Sequence, residues 1–192
     1  LPPPPNEVTQ ISTYPALERG LYDGDVTYAQ LAQAGNFGIG TFDGMDGEMI
    51  ALDGKFYQAR YDGSVLVADS SLETPFATVT FFWPEQHLEL AAPLTSYDLL
   101  KAYLAKVAPP ANRPYAIRLN GRFSYVKIRS IPRQSEPFPP LADVIAQQVT
   151  WEQGGIQGTL VGWWFPQYLS ALNAPGYHLH FLSDDRQVAG HL

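Results

Sequence analysis

The sequence predicts an α/β fold that is mostly β, with short helices and strands in the N-terminal part and a mostly antiparallel C-terminal part. Three observations carry this. From residue 37 the apolar pattern settles to a period of two, broken by Asp-Gly pairs that favour hairpin turns. One stretch, 96–107, is a convincing amphipathic helix. Beyond residue 110, short alternating runs and an Asn-Gly pair dominate, which suits a barrel or a sandwich because closure removes exposed strand edges.

In order along the chain, 1–5 is a leucine followed by a proline run, expected to be an extended arm. A short helix is predicted over 14–21. A second is capped by Thr27, runs to Ala34 and stops at Gly35. A glycine-rich strand, 37–42, leads through an acidic turn, 43–47, into a meander of 48–52, 55–60 and 65–68, with turns at Asp53-Gly54 and Asp62-Gly63. Another strand is expected at 78–83. The helix over 96–107 takes Thr95 or Ser96 as its cap and buries Leu99, Leu100, Tyr103, Leu104 and Val107. Pro109 and Pro110 mark a boundary between regions 1–108 and 109–192. In the second region, strands 115–119 and 122–128 flank Asn120-Gly121, a helix spans 141–148, and strands follow at 158–165 and 177–182.

Composition excludes several classes. A formal net charge of −7 argues against nucleic-acid binding, which rests on basic patches. No apolar run is long enough to span a bilayer as a helix. Without cysteine, disulfides and thiolate ligands are excluded, so any metal must use His, Asp or Glu. A start at Leu1, the proline run and the lack of cysteine are compatible with export and equally leave the cytoplasm open.

Three of the four histidines fall in the last fifteen or so residues. His178 and His180, one residue apart on a strand, face the same way. A hairpin through the polar stretch 183–186 can return His191 to the same pocket. Three neutral imidazoles with an open fourth position are what a catalytic zinc requires, although half-buried histidines often only hydrogen-bond. Three histidines also accept iron, manganese, cobalt or nickel.

Other residues have two readings each. Glu48 opens an apolar strand after a tight turn, either as a buried acid or base or as an exposed strand-end charge. Arg118, in the run from Tyr115 to Ile117, meets a substrate anion or a protein carboxylate. Arg122, Lys127 and Arg129 read as solvated strand charges, and His87 as a surface histidine. Of the adjacent Trp163 and Trp164, one is core and the other walls a pocket or interface. Asp184 and Asp185 serve the metal site or simply the turn. Thr41 hydrogen-bonds a ligand or only packs.

These residues lie in ordered blocks: Gly-Asp-Val-Thr-Tyr (24–28), Gly-Thr-Phe-Asp-Gly-Met-Asp-Gly-Glu-Met (40–49), Leu-Asp-Gly-Lys-Phe-Tyr-Gln (52–58), Pro-Tyr-Ala-Ile-Arg (114–118), Gly-Thr-Leu-Val-Gly (158–162), Gly-Tyr-His-Leu-His-Phe-Leu-Ser-Asp-Asp-Arg (176–186) and Gly-His (190–191). In these blocks the chain resembles the α-acetolactate decarboxylases. The resemblance implies an N-terminal mixed β-sheet with helices, a C-terminal antiparallel β-barrel, and homodimers joined through the N-terminal sheets. It implies zinc on His178, His180 and His191, active-site roles for Glu48 and Arg118, and Thr41 near the substrate. It also implies a further glutamate in a tail beyond the last zinc histidine. The implied reaction converts 2-acetolactate to (R)-acetoin and CO2 through a metal-stabilised enediolate. The competing expectations are a cupin-like metal oxygenase, disfavoured because Ser183, Asp184 and Asp185 stand where a cupin places its glutamate, and a non-catalytic metal- or ligand-binding protein.

Overall fold

The computed structural model describes residues 6–108 and 112–192. The proline arm and the Pro109-Pro110 boundary therefore lie outside the described residues. The elements in order are β1 (Thr9–Ile11), α1 (Tyr14–Glu18), β2 (Val26–Thr27), α2 (Tyr28–Leu31), β3 (Phe37–Thr41), β4 (Glu48–Leu52), β5 (Lys55–Ala59), β6 (Val65–Val67), β7 (Glu73–Thr74), β8 (Ala77–Thr80), α3 (Tyr97–Val107), β9 (Tyr115–Ser130), α4 (Leu141–Ile145), β10 (Val149–Phe165), β11 (Gly176–Ser183) and β12 (Ala189–His191). Strand dominates, as expected.

Local chemistry explains the short helices. Thr27 and Gln30 form a reciprocal capping box on α2. Thr13 caps α1, which ends at Glu18 rather than at residue 21. Ser96 caps α3 by accepting from the Leu99 amide. On α3, Leu100 is buried, but Leu99 is 49% exposed, so it falls outside the buried stripe.

The N-terminal sheet has the order β1-β8-β3-β4-β5-β6, and every pairing within it is antiparallel. The mixed sheet implied by the resemblance is thus corrected. Strands β3 to β6 follow one another through short connections, and a parallel neighbour would need a crossover of a dozen or so residues. The 78–83 strand ends at Thr80, and Trp83 is 80% exposed.

The C-terminal strands pair in a closed circuit, β10-β11-β12-β9, whose last link is the single pair His191↔Arg129. The predicted hairpin at Asn120-Gly121 is also corrected. The ladder runs straight through it, pairing Asn120 with Thr159 and Gly121 with Gly158. Asn120 accepts from the Thr159 hydroxyl at 2.9 Å, so the turn-forming side chain is used across strands instead. Strand β10 begins nine residues before the predicted start. Gly155, at φ +66°, sits between the paired Gly154 and Ile156, a conformation that glycine tolerates and that lets the strand bend without ending.

Alternate residues of β10 and β11 face two different cores. Val161, Trp163 and Leu182 pack with Phe37, Ile39, Ile50 and Tyr57 of the N-terminal sheet. Leu160, Leu179 and Phe181 pack on the other face with Val126, Ile128 and Leu100 of α3. Trp163 is 2% exposed and is the core member of the tryptophan pair. By the strand period, His178, His180 and Leu182 share one face, which points toward the N-terminal sheet.

Candidate active site

Strand β11 carries His178 and His180, and the turn after Ser183 returns β12 so that His191 pairs directly with His180. The turn holds itself together. Asp185 accepts from the Ser183 hydroxyl at 2.6 Å and from the Gln187 amide at 3.1 Å, and these bonds hold its carboxyl below the usual range. Both Asp184 and Asp185 are exposed, and Asp185 is engaged in turn chemistry.

The three imidazoles converge. Each offers a nitrogen within 4.8 Å of the others, and the Nε2 atoms of His178 and His180 are 3.3 Å apart. His180 is fully buried, and its Nδ1 lies 2.9 Å from the Met49 carbonyl of β4. A carbonyl only accepts, so Nδ1 carries the proton and Nε2 presents a lone pair. Burial lowers all three histidine pKa values. For His178, burial and then the Arg129 charge bring it to about 4. For His180 and His191, burial and the neighbouring histidines push well below the usual value. The cluster is therefore neutral at pH 7, the form that binds a cation.

Glu48 opens β4, and its Oε2 lies 3.4 Å from His180 Nε2. It is buried, and burial pushes its carboxyl up to about 7, with Arg129 working in the opposite direction. Burial drives both groups toward their neutral forms, so this contact is not a standing ion pair. Thr41 pairs with Glu48 across β3 and β4, and its hydroxyl donates to the Gly47 carbonyl at 2.7 Å. That bond ties down the turn from which Glu48 emerges.

The arginine at this site is Arg129. Its Nη2 donates to His191 Nε2 at 3.0 Å, its Nη1 donates to Gln148 Oε1 at 2.5 Å, and its charge acts on Glu48 and on all three histidines. The reading of Arg129 as a solvated strand charge is corrected. Arg118 instead makes a two-pronged pair with Asp53 in the β4–β5 turn, at 2.6 and 3.2 Å. Of the two alternatives for Arg118, the structure takes the protein carboxylate. No sequence period could have found Arg129, since it alternates with Val126 and Ile128 like an outward-facing residue. Only its register against His191 brings it into the cluster.

The profile of the family described as "Alpha-acetolactate decarboxylase" matches residues 8–192. The chain belongs to the α-acetolactate decarboxylase family. It is 43% identical to the α-acetolactate decarboxylase of Methylococcus capsulatus, over 97% of this chain and 72% of the relative. It is 45% identical to that of Methanosarcina mazei, over 95% of this chain and 63% of the relative. A crystal structure of the Bacillus subtilis strain 168 enzyme superposes with a TM-score of 0.92 at 35% identity, covering 96% of this chain and 78% of that one. As a decarboxylase of this family the chain is a carbon–carbon lyase, which sets aside the cupin-like oxygenase. The likeness extends over both the N-terminal sheet and the strands that carry the histidines.

Proposed function

We propose that this chain converts 2-acetolactate to (R)-acetoin and CO2 with a zinc ion on His178, His180 and His191, and that its active-site arginine is Arg129 rather than Arg118. The convergence of three neutral imidazoles, His180 buried and His178 and His191 half-buried, carries the reading. The donor set fits the ion. Two nitrogens each about 2.05 Å from a tetrahedral zinc lie about 3.3 Å apart, which matches the separation of the His178 and His180 Nε2 atoms. The Met49 carbonyl fixes the His180 tautomer that such a ligand needs. When bound, zinc supplies a Lewis acid for the ketone and hydroxyl oxygens of the substrate.

The chain's own groups do the rest. Breaking the bond to the carboxylate carbon releases CO2 and leaves an electron pair that flows into the adjacent ketone, giving an enediolate. The Arg129 guanidinium, already facing the histidines and Glu48, holds the anionic substrate and steadies the charge as it develops. Glu48, buried beside the histidines, delivers the proton to the carbon that lost CO2, directly or through water. A donor fixed on one face delivers that proton to one face only. Thr41 acts through the turn that presents Glu48. With a net charge of −7, the protein as a whole repels an acid substrate, so attraction is local.

Two features of assembly belong to the same reading. The closed β9–β12 circuit supports a C-terminal barrel following an N-terminal region that ends near residue 108, the two sharing one core. The outer strand β6 leaves Leu66 and Val67 46% and 67% exposed at a sheet edge, which supports a homodimer through the N-terminal sheets.

His180→Ala tests the metal. The folded variant is expected to lose bound zinc, read by elemental analysis, together with at least a hundredfold of turnover, the scale of losing an essential catalytic metal. Wild-type turnover in a folded, zinc-free variant would remove the ion from the reaction.

A further inference from the structure

Arg129 makes two directed contacts, and only one of them is to a histidine. The other is to Gln148, in the turn between α4 and β10, whose Oε1 accepts from Nη1 at 2.5 Å. Residues 129 and 148 flank opposite ends of the segment that connects β9 to β10, and Gln148 stands just before the pair Val149↔Ser130. The guanidinium is a rigid planar fork, so an acceptor on Nη1 fixes its rotation, and once His191 gives its lone pair to the ion, Gln148 is the one of these two acceptors that remains. The remaining N–H groups then have a set direction. With zinc on His191 and no acceptor at position 148, neither contact would hold the plane. Gln148 contributes an uncharged acceptor, which orients the cation without neutralising it. A carboxylate at that position would form an ion pair and reduce the attraction for an anionic substrate.

We propose that Gln148 is a positioning residue for the decarboxylation: it locks the Arg129 guanidinium in the orientation that serves the developing charge, and its neutrality keeps that charge available to the substrate. This rests on the reading of Arg129 as the active-site arginine.

The test uses the full chain with three substitutions, Q148L, Q148E and R129K, and two readouts. Steady-state kinetics of acetoin formation give kcat and KM separately. Nitrogen-15 spectra of the arginine side chains report rotation of the Arg129 guanidinium, and they can be recorded without substrate or zinc. Q148L removes the acceptor at similar size. It is expected to lower kcat by about tenfold to a hundredfold, the scale of one charge-assisted hydrogen bond. KM should change less, and the separate Arg129 Nη signals should merge as rotation is freed. Q148E keeps an acceptor. It is expected to retain the restrained Arg129 signals and most of kcat while KM rises several-fold from the added negative charge. If Q148L does not fold, Q148N, one methylene too short to reach, is expected to show the same kcat loss and merged signals.

The two readings fail differently. Wild-type turnover in R129K would overturn the role of Arg129. A large loss in R129K beside unchanged kcat and unchanged Arg129 signals in Q148L would overturn the role of Gln148 alone. A lowered melting temperature in Q148L with kcat, KM and the signals intact would make Gln148 merely structural, and this too would overturn the proposal.

Discussion

Glu48 and Arg129 show how one buried site sets opposing electrostatic demands. Glu48 is raised from 4.5 to about 7, first by burial. Between those values the folded chain holds a proton that the unfolded chain has released, so stability falls as pH rises through that window. In zinc-free protein, Glu48→Gln removes this dependence. The variant should gain on the wild type by roughly 3 kcal/mol from pH 4.5 to 7, at about 1.4 kcal/mol per pKa unit. Urea unfolding at several pH values with chelator present reads this directly, and a pH-independent difference would mean that Glu48 is not buried as described. The histidines act with the opposite sign. His178 is lowered from 6.5 to about 4, so below 6.5 the unfolded chain takes up a proton that the folded one refuses, and stability is lost as pH falls. The two arginines divide in the same local way. Arg118→Lys disturbs only a partly exposed pair with Asp53 and should change stability by about 1 kcal/mol or less, with turnover intact. Arg129→Lys should fold and bind zinc but lose about a hundredfold in kcat, because an ammonium cannot present the planar fork that Gln148 orients toward the site.

At the level of elements, the site depends on how closely β10 approaches β11. Gly162 pairs with Leu179, and a Cβ there would stand 2.1 Å from the His178 carbonyl oxygen. Gly162→Ala must therefore push the backbone that carries the first histidine. It should destabilise by about 1–3 kcal/mol, as overpacking does, and should weaken zinc binding measurably in a competition titration. Unchanged zinc affinity would show that His178 tolerates the shift. Elements and residues were legible in the sequence to different depths for one physical reason. The His178/His180/His191 set needs only the two-residue period of one strand and one short turn, both local. So do the meander of β4 to β6 and the capping of α2 and α3. The long β9–β10 ladder does not. Asn120-Gly121 has turn chemistry but is used in pairing, and Gly154-Gly155 looks like a break but is a bend within one strand. Arg129 was hidden for the same reason, because its neighbours are set by register across β12 and by the α4–β10 turn, not by its own strand's period.

Over the whole molecule, the proposed active site lies where the closed strand circuit packs on the N-terminal sheet. The Met49 carbonyl and Glu48 come from one side and the histidines from the other. The shared core of Ile39, Ile50, Val161, Trp163 and Leu182 binds the two halves, so site geometry and global folding are coupled. Urea unfolding followed by far-ultraviolet dichroism and by tryptophan fluorescence should therefore give superimposable single transitions. Separate midpoints would mean that the halves fold independently. The central claim is that three histidines at this junction hold the ion on which acetolactate decarboxylation depends. The most direct test is acetoin formation from racemic acetolactate with protein as purified, after chelation, and after zinc is returned, with bound zinc measured in each state. Turnover that disappears on chelation and returns with about one zinc per chain is the predicted result. Full turnover in protein shown to be free of metal would contradict it.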